Sequence, residues 1–337
     1  MIKNGQYKYI DLFAGIGGFR IALDRLGLKC VFSNDYDKYA CTTYSANFGD
    51  ILCKDVHEVG VEEIPNFDLL CGGFPCQPFS IAGVSKKNSM GVKHGFDDKK
   101  QGNLFFEIIR IIMHHKPKVL FLENVKNLKS HNKGATWGVI KSELENAGYY
   151  VFEKIIDGKY YVPQHRERVY IVCFNKKIYP KIKFEFPTYP QKRIYELNDV
   201  VSDKVEGKYT LTDRLWNYLK NYKKKNEEKG NGFGFGLINK YNDEYTRTIS
   251  ARYYKDGSEI LIEQKNENPR RLTPREASRL QGFPENFKIP VSDMQAYRQF
   301  GNSVVVPAIF ATAEKIFQTI KEYNGGGARD NILSLFD

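Results

Sequence analysis

The tightest constraint on the fold is an alternation filling the first half of this 337-residue chain. Short runs of apolar and β-branched residues are each followed by a segment with helical spacing. Strands are predicted over 9–13, 30–34, 69–72, 119–123, 150–156 and 169–174, with helices over 19–26, 39–48, 104–114 and 137–147. That order builds a largely parallel sheet flanked by helices. Open α/β sheets bind ligands in the crevice beyond their strand ends. Each chemically suggestive segment of this chain falls where a predicted strand stops.

After Phe186-Pro187 the texture changes. Residues 188–270 are rich in Lys, Tyr, Asn and Gly, with the run Lys223-Lys224-Lys225 and the repeated Gly-Phe of Gly232-Phe233-Gly234-Phe235-Gly236. A smaller domain of strands and long loops is expected there, and the lysine run reads equally well as a solvated face. The segment from Thr246 to Tyr254 alternates like a strand. Further on, Thr273, Pro274 and Glu276 have the spacing of a capping box with proline at the first helical position. Gln299-Phe300-Gly301-Asn302-Ser303-Val304 then leads into an apolar helix reaching Ile320.

A net charge of +11 favours a polyanionic partner, although lysine-rich composition also serves solubility. The six cysteines at 30, 41, 53, 71, 76 and 173 contain no C-x-x-C pair, which argues against a structural zinc site or a disulfide framework. No metal site is expected. The opening residues have no signal-peptide apolar block, and no apolar stretch is expected to approach the length needed to span a bilayer. A reducing cytoplasm, where a free thiol survives, follows as the expectation.

The segment Asp11-Leu12-Phe13-Ala14-Gly15-Ile16-Gly17-Gly18 places glycines between a strand and a helix, where backbone can approach a ligand closely. Asp35 follows Gly15 by 20 residues, at the end of the next strand, placed for ribose hydroxyls. A dinucleotide fingerprint would need glycine where Arg20 stands, and no Walker lysine follows. S-adenosylmethionine fits better, since it carries no phosphate. Asp55 is a candidate partner for its adenine amino group.

Downstream, Pro75 and Pro78 force Cys76 out of regular structure at a strand end. Glu123-Asn124 ends another strand, and Gln164-His165-Arg166-Glu167-Arg168 precedes a third. A thiolate, a carboxyl group kept partly neutral and an arginine pair form a set suited to a pyrimidine. The sulfur adds to C6, the carboxyl assists at N3, and positive charge stabilises the electron-rich ring. Cys71, inside a predicted strand, is assigned no chemistry. Arg166 and Arg168 alternate onto one face, either toward a substrate or toward acids such as Glu167 and Glu153. No residue announces itself as acceptor of the C5 proton.

Together these segments resemble the cytosine-C5 DNA methyltransferases over nearly the whole chain. The resemblance implies an α/β, class I S-adenosylmethionine-dependent methyltransferase fold, a Rossmann-like mixed sheet with a smaller inserted target-recognition domain. The catalytic domain would comprise 1–187 plus 296–337 and the recognition domain 188–295. Cys76, Glu123, Arg166 and Arg168 would be catalytic, with Arg168 near O2 of the base and Arg166 supporting the base or the active-site loop. Phe13, Gly15, Gly17, Asp35, Tyr36, Asp55, Pro75, Leu104, Asn302 and Val304 would line the cofactor pocket. Gln164, Arg247, Thr248 and Arg252 would serve DNA, with the two arginines reading guanine edges or binding phosphate. The segment 80–103 resembles the active-site loop of the family.

The expected reaction moves a methyl group from S-adenosyl-L-methionine to C5 of a flipped-out cytosine in duplex DNA, leaving S-adenosyl-L-homocysteine. A restriction–modification setting brings further expectations: a cognate restriction endonuclease, a monomeric enzyme without membrane contact, and a bacterial cytoplasmic, nucleoid-associated location. The alternatives are a tRNA cytosine-C5 methyltransferase, which would share most of these motifs, and a non-catalytic DNA-binding protein that keeps the fold.

Overall fold

The computed structural model describes residues 7–75, 104–230 and 234–325. Seven strands form one sheet: β1 (Lys8–Leu12), β2 (Lys29–Asp35), β3 (Leu52–Cys53), β4 (Leu69–Gly73), β5 (Val119–Val125), β6 (Tyr149–Asp157) and β7 (Glu167–Asn175). Their spatial order is β3-β2-β1-β4-β5-β7-β6. The first five run parallel, whereas β7 lies antiparallel to β5 and β6 antiparallel to β7. The six predicted strands are present, each ending within two residues of its expected bounds. β3 was not predicted, because two residues carry no readable period.

Apolar residues alternate between the two faces of the sheet. Tyr9, Phe121, Val172 and Phe174 share one layer with the helices Gly18–Arg25 and Val306–Gly325. Ile10, Leu70, Leu120 and Ile171 face the other way, toward the helices Leu104–His115 and Ala135–Asn146. Each buried side chain of this size contributes roughly 1.5–3 kcal/mol of transfer free energy. The order of strands reverses between β1 and β4, where the two backbones come close. A Cβ on Gly72 would sit 2.3 Å from the Leu12 carbonyl oxygen, so glycine is required there. This junction opens the crevice that holds the site.

One expectation about the C-terminal region needs correcting. The stretch Asp293–Gly325 is long and apolar enough to cross a membrane by length and composition. It is interrupted after Asn302, and Ile309, Ala313, Ile316 and Ile320 are fully buried in the apolar layer beside Gly18–Arg25. It is a core helix.

The region after 187 departs further from expectation. A long helix, Asp213–Glu228, is capped by the Thr212 hydroxyl, and the strands β8 (Leu237–Ile238), β9 (Leu261–Ile262) and β10 (Arg270–Arg271) have two residues each. The strand expected from Thr246 to Tyr254 is reduced to a single bridge between Gln164 and Thr246, followed by turns. The capping box is present: Glu276 N donates to Thr273 Oγ1 at 3.2 Å and Thr273 N to Glu276 Oε2 at 2.7 Å. The apolar layer holding Phe300 and Val304 continues through Ile249, Tyr253 and Leu272. Helix Asp293–Asn302 crosses the expected return point at 296.

Candidate active site

The loop after β1 carries three left-handed residues: Phe13 at φ 55°, Gly15 at φ 55° and Gly17 at φ 85°. A bulky side chain in that region is strained, and such strain concentrates at functional loops. Asp35 fixes the turn from the neighbouring strand end. Its Oδ2 accepts from Gly15 N at 2.8 Å and its Oδ1 from Asp37 N at 2.9 Å. Burial raises the Asp35 pKa, and these backbone donors oppose the rise. A Cβ on Gly15 would meet nothing within 4 Å, so the loop borders open space.

That space is a cavity of about 430 Å³, within the roughly 300–1,000 Å³ range of small-molecule sites. Phe13, Gly15, Asp35 and Tyr36 form one wall, and Asn302 and Val304 another. Pro75, Glu123, Arg166 and Arg168 lie in the same lining. Cofactor-type and catalytic-type residues therefore share one chamber.

Strand register builds the catalytic side. Glu123 pairs with Gly73 on β4 and with Tyr170 on β7, while Arg168 pairs with Val125. Two residues apart along the ladder, Glu123 and Arg168 share a face, and Arg168 Nε lies 3.2 Å from Glu123 Oε1. Burial raises the Glu123 pKa, against the opposing pull of Arg168 and then Arg166. Gly73 keeps the carboxylate edge clear, since its Cβ position is 3.4 Å from Glu123 Oε2. Asn124 is buried and donates to the Phe74 carbonyl at 2.8 Å, which pins the strand end just before Pro75-Cys76.

Arg166 is only 2% exposed. It donates to the carbonyls of Ile249 at 3.1 Å, Gly301 at 2.9 Å and Ser303 at 2.6 Å. Burial and then Arg168 push its pKa down to about 9, with Glu123 opposing, so it stays cationic at neutral pH. Among the described residues it has no acid partner of the kind weighed for it in the sequence: its three acceptors are main-chain oxygens. Arg168 does have an acid partner, but that partner is Glu123 rather than Glu167 or Glu153.

Other expected residues fall elsewhere. Cys76 and the segment 80–103 lie outside the described residues. Cys71 is fully buried in β4, donating to the Ile10 carbonyl at 3.3 Å, and burial holds its thiol well above the usual range. At 0% exposure its sulfur is closed to a substrate. Gln164, expected at DNA, is 0% exposed, with Nε2 donating to Leu280 O at 2.9 Å and Oε1 accepting from Ile249 N at 3.0 Å. Gly17 shapes the loop from outside the cavity lining, against Phe48, whose ring lies 2.3 Å from the Cβ position. Leu104 packs into the second apolar layer, also outside that lining. Asp55 is exposed outside it too, with Oδ1 taking His57 N at 3.0 Å and His57 Nδ1 at 2.6 Å. Arg247 and Arg252 are exposed, and Thr248 donates to the His165 carbonyl at 2.6 Å.

Three residues at the site escaped the sequence reading. Arg298 and Asp37 both line the cavity and pair at 3.6 Å. Arg298 precedes Asn302 by one helical turn, a spacing that could have flagged it. Asp157 accepts Arg166 N at 3.0 Å and contacts His165 Nδ1 at 2.7 Å, orienting the arginine segment. Nothing in the local sequence of Asp157 signals that role.

Residues 7–318 match the profile of the family described as C-5 cytosine-specific DNA methylase. The chain belongs to this family. It is 53% identical to the type II methyltransferase M.SsoII of Shigella sonnei, over 94% of this chain and 82% of the relative. Identity to M.HpaII of Haemophilus parainfluenzae is 44%, covering 94% and 90% of the two chains. Among solved structures, Entamoeba histolytica methyltransferase EhMeth has a TM-score of 0.72 at 22% identity, covering 94% of this chain and 99% of that one. S. pombe Dnmt2 methyltransferase has a TM-score of 0.73 at 18% identity, covering 93% and 99%. These two likenesses establish the fold, a class I methyltransferase sheet carrying an inserted region. The enzyme is a DNA (cytosine-5-)-methyltransferase of the bacterial restriction–modification type that uses S-adenosylmethionine as methyl donor and duplex DNA as substrate.

Proposed function

We propose that Cys76 is the nucleophile, Glu123 the group at N3 of the cytosine, and Arg168 the cation that fixes Glu123 and faces O2. The observation that carries this reading is the single cavity joining the glycine loop to the Glu123–Arg168 pair. Cys76 follows Pro75 directly, and Pro75 lines the same chamber. Its sulfur would bond to C6, shifting the C5–C6 π electrons toward C5 while the proton held by the Glu123 carboxyl steadies N3. After methyl transfer, water or hydroxide in the site would take the C5 proton, the C5–H electron pair would restore the C5=C6 bond, and the sulfur would leave as thiolate with the C6–S pair. The raised Glu123 pKa supports the first half of this cycle, since the neutral carboxyl is the form that can donate. Arg166 is a positioning residue in this scheme, tying three main-chain carbonyls around the site.

The chamber suits S-adenosylmethionine: open space above Gly15, aromatic and aliphatic walls at Phe13 and Val304, and a carboxylate at Asp35. Once bound, the cofactor supplies an electrophilic methyl group. Asp35 and Tyr36 would hold its ribose side, Asn302 and Val304 would close the opposite wall, and Asp55 would take the adenine amine. The 1–187 plus 296–337 catalytic and 188–295 recognition division, a monomeric state, a cytoplasmic nucleoid-associated location and a cognate endonuclease belong to the same proposal.

The test is covalent trapping. Wild-type protein incubated with 5-fluorocytosine duplex and S-adenosylmethionine should give an adduct mapping to residue 76. Cys76→Ser should give none, and its turnover should fall by at least about 10³-fold while duplex binding persists. Undiminished methylation by Cys76→Ser would remove the nucleophile assigned above.

A further inference from the structure

A second concavity, of about 620 Å³, lies between helix Asp213–Glu228 and the residues that follow it. Trp216, Lys220 and Lys223, spaced i, i+4 and i+7 along one helical face, line it together with Phe235, Tyr245 and Arg247. Its cations are held over aromatic faces. Lys220 Nζ is 5.5 Å from the Trp216 ring centroid and Lys223 Nζ is 4.9 Å from that of Phe235. The Lys223 stem is fixed as well, because it covers Gly234, whose Cβ position lies 2.8 Å from Lys223 Cγ. Arg247 donates to the Gly234 carbonyl at 3.0 Å.

The charges in this groove are poorly compensated. Among the described residues, Lys220 and Arg247 have no carboxylate partner within ion-pair distance, and Lys223 has only Glu227 at 3.9 Å on its own helix. Lys126, by contrast, is held by Glu167 at 2.6 Å, and what distinguishes the groove lysines from other unpaired ones is their place over aromatic rings in a concave surface. A concave, aromatic-floored surface with cations placed but not neutralised is complementary to a polyanion. The groove is also tied to the active site. His165, beside Arg166, donates its N–H to the Thr246 carbonyl at 2.9 Å and accepts the Thr248 hydroxyl, and His165 and Thr246 both line the groove.

We infer that this groove seats the sugar–phosphate backbone of one DNA strand, with Lys220 and Lys223 as phosphate contacts independent of base sequence. Helix Asp213–Glu228 is then a backbone clamp, and specificity lies with other residues. The inference rests on the duplex-methylating reading above.

The experiment measures duplex affinity as a function of salt for wild type, for Lys220→Ala/Lys223→Ala, and for Lys225→Ala/Lys229→Ala. The last pair removes the same charge from exposed positions outside the groove lining. Each phosphate contact contributes about 0.9 to the slope of log affinity against log salt. The groove pair should therefore lower that slope by about 2 and weaken binding on the order of 10–100-fold near 0.1 M salt, equally for cognate and unrelated duplexes. The control pair should leave the slope unchanged, and cofactor affinity and melting temperature should stay level in all three proteins. An unchanged slope in the groove pair, or an equal loss in the control pair, overturns the inference. A wild type that neither binds nor methylates duplex DNA would instead overturn the underlying reading.

Discussion

The crevice of the main sheet and the region after residue 187 use opposite means to place a side chain. In the crevice, strand register does it: Glu123 and Arg168 meet because β5 and β7 pair antiparallel over seven residues each. Beyond residue 187 the strands have two residues each, too few for register to fix much. Order there comes from point ties. Arg270 makes a two-pronged contact with Glu276 at 2.9 and 2.8 Å, both side chains essentially buried. Gln164 and Arg166 reach from the sheet to main-chain atoms of the same region. A distributed ladder tolerates the loss of one contact, whereas a point tie does not.

The largest expected effect follows from that asymmetry. Glu276 also accepts from Ser202 N at 2.7 Å and closes the capping box, so one carboxylate serves three purposes. Glu276→Ala leaves the Arg270 guanidinium buried without its partner, a change that typically costs about 3–5 kcal/mol. Urea unfolding followed by far-ultraviolet circular dichroism would read it. Glu276→Gln, which keeps the cap but not the charge, should fall between the two. A loss under about 1 kcal/mol for Glu276→Ala would mean that this region shares its load as the sheet does.

The same asymmetry explains what could be read from the chain. β1, β2, β4, β5, β6 and β7 were legible because apolar alternation and strand-terminating glycines or prolines repeat over five residues or more. The cavity followed from them, since Phe13, Gly15, Asp35, Tyr36, Pro75, Glu123, Asn302 and Val304 all sit at strand or helix ends. Helix Asp213–Glu228 was missed although Leu215, Trp216, Leu219 and Tyr222 have helical spacing: its many Lys and Asn residues read as loop, and only Leu219 along it is buried. The internal ties of Gln164 were not legible either, since nothing in Gln-His-Arg-Glu-Arg says that its amide bonds to Leu280 and Ile249. Arg298 was missed because its pairing with Asp37 spans the fold.

An effect that is smaller for each pH unit, and accumulates over several, probes the ladder itself. Asp11 lies on β1 opposite Cys71, wholly buried, with Oδ1 3.7 Å from the Cys71 sulfur and Oδ2 without a hydrogen bond among the described residues. Burial raises its pKa from 3.8 to about 8, with Arg20 opposing. The folded state thus keeps a proton that the unfolded chain has lost between those values, so raising pH through this window removes stability. Each pH unit removes at most about 1.4 kcal/mol. Asp11→Asn cannot ionise. Its melting temperature should gain on the wild type as pH rises from about 5 to about 8, and a constant difference would place the ionisation elsewhere.

The smallest effect belongs to the seam between the two regions. Helix Asp293–Asn302 touches both: a Cβ on Gly301 would fall 2.3 Å from the Ser250 carbonyl, while Arg298 reaches Asp37 in the cavity lining. The Arg298 and Asp37 side chains are 48% and 24% exposed, so water and salt screen their attraction. Pairs of this kind contribute about 0.2–1 kcal/mol. Arg298→Ala should therefore raise KM for S-adenosylmethionine by roughly 1.5- to 5-fold with kcat little changed, and the penalty should shrink at high salt. Asp37→Asn should have a similar effect, and the double variant should cost no more than either single one if the two act only through each other. A fall in kcat instead would show that Arg298 carries the recognition region's position into the chemistry, making the seam a rigid joint and not a screened contact.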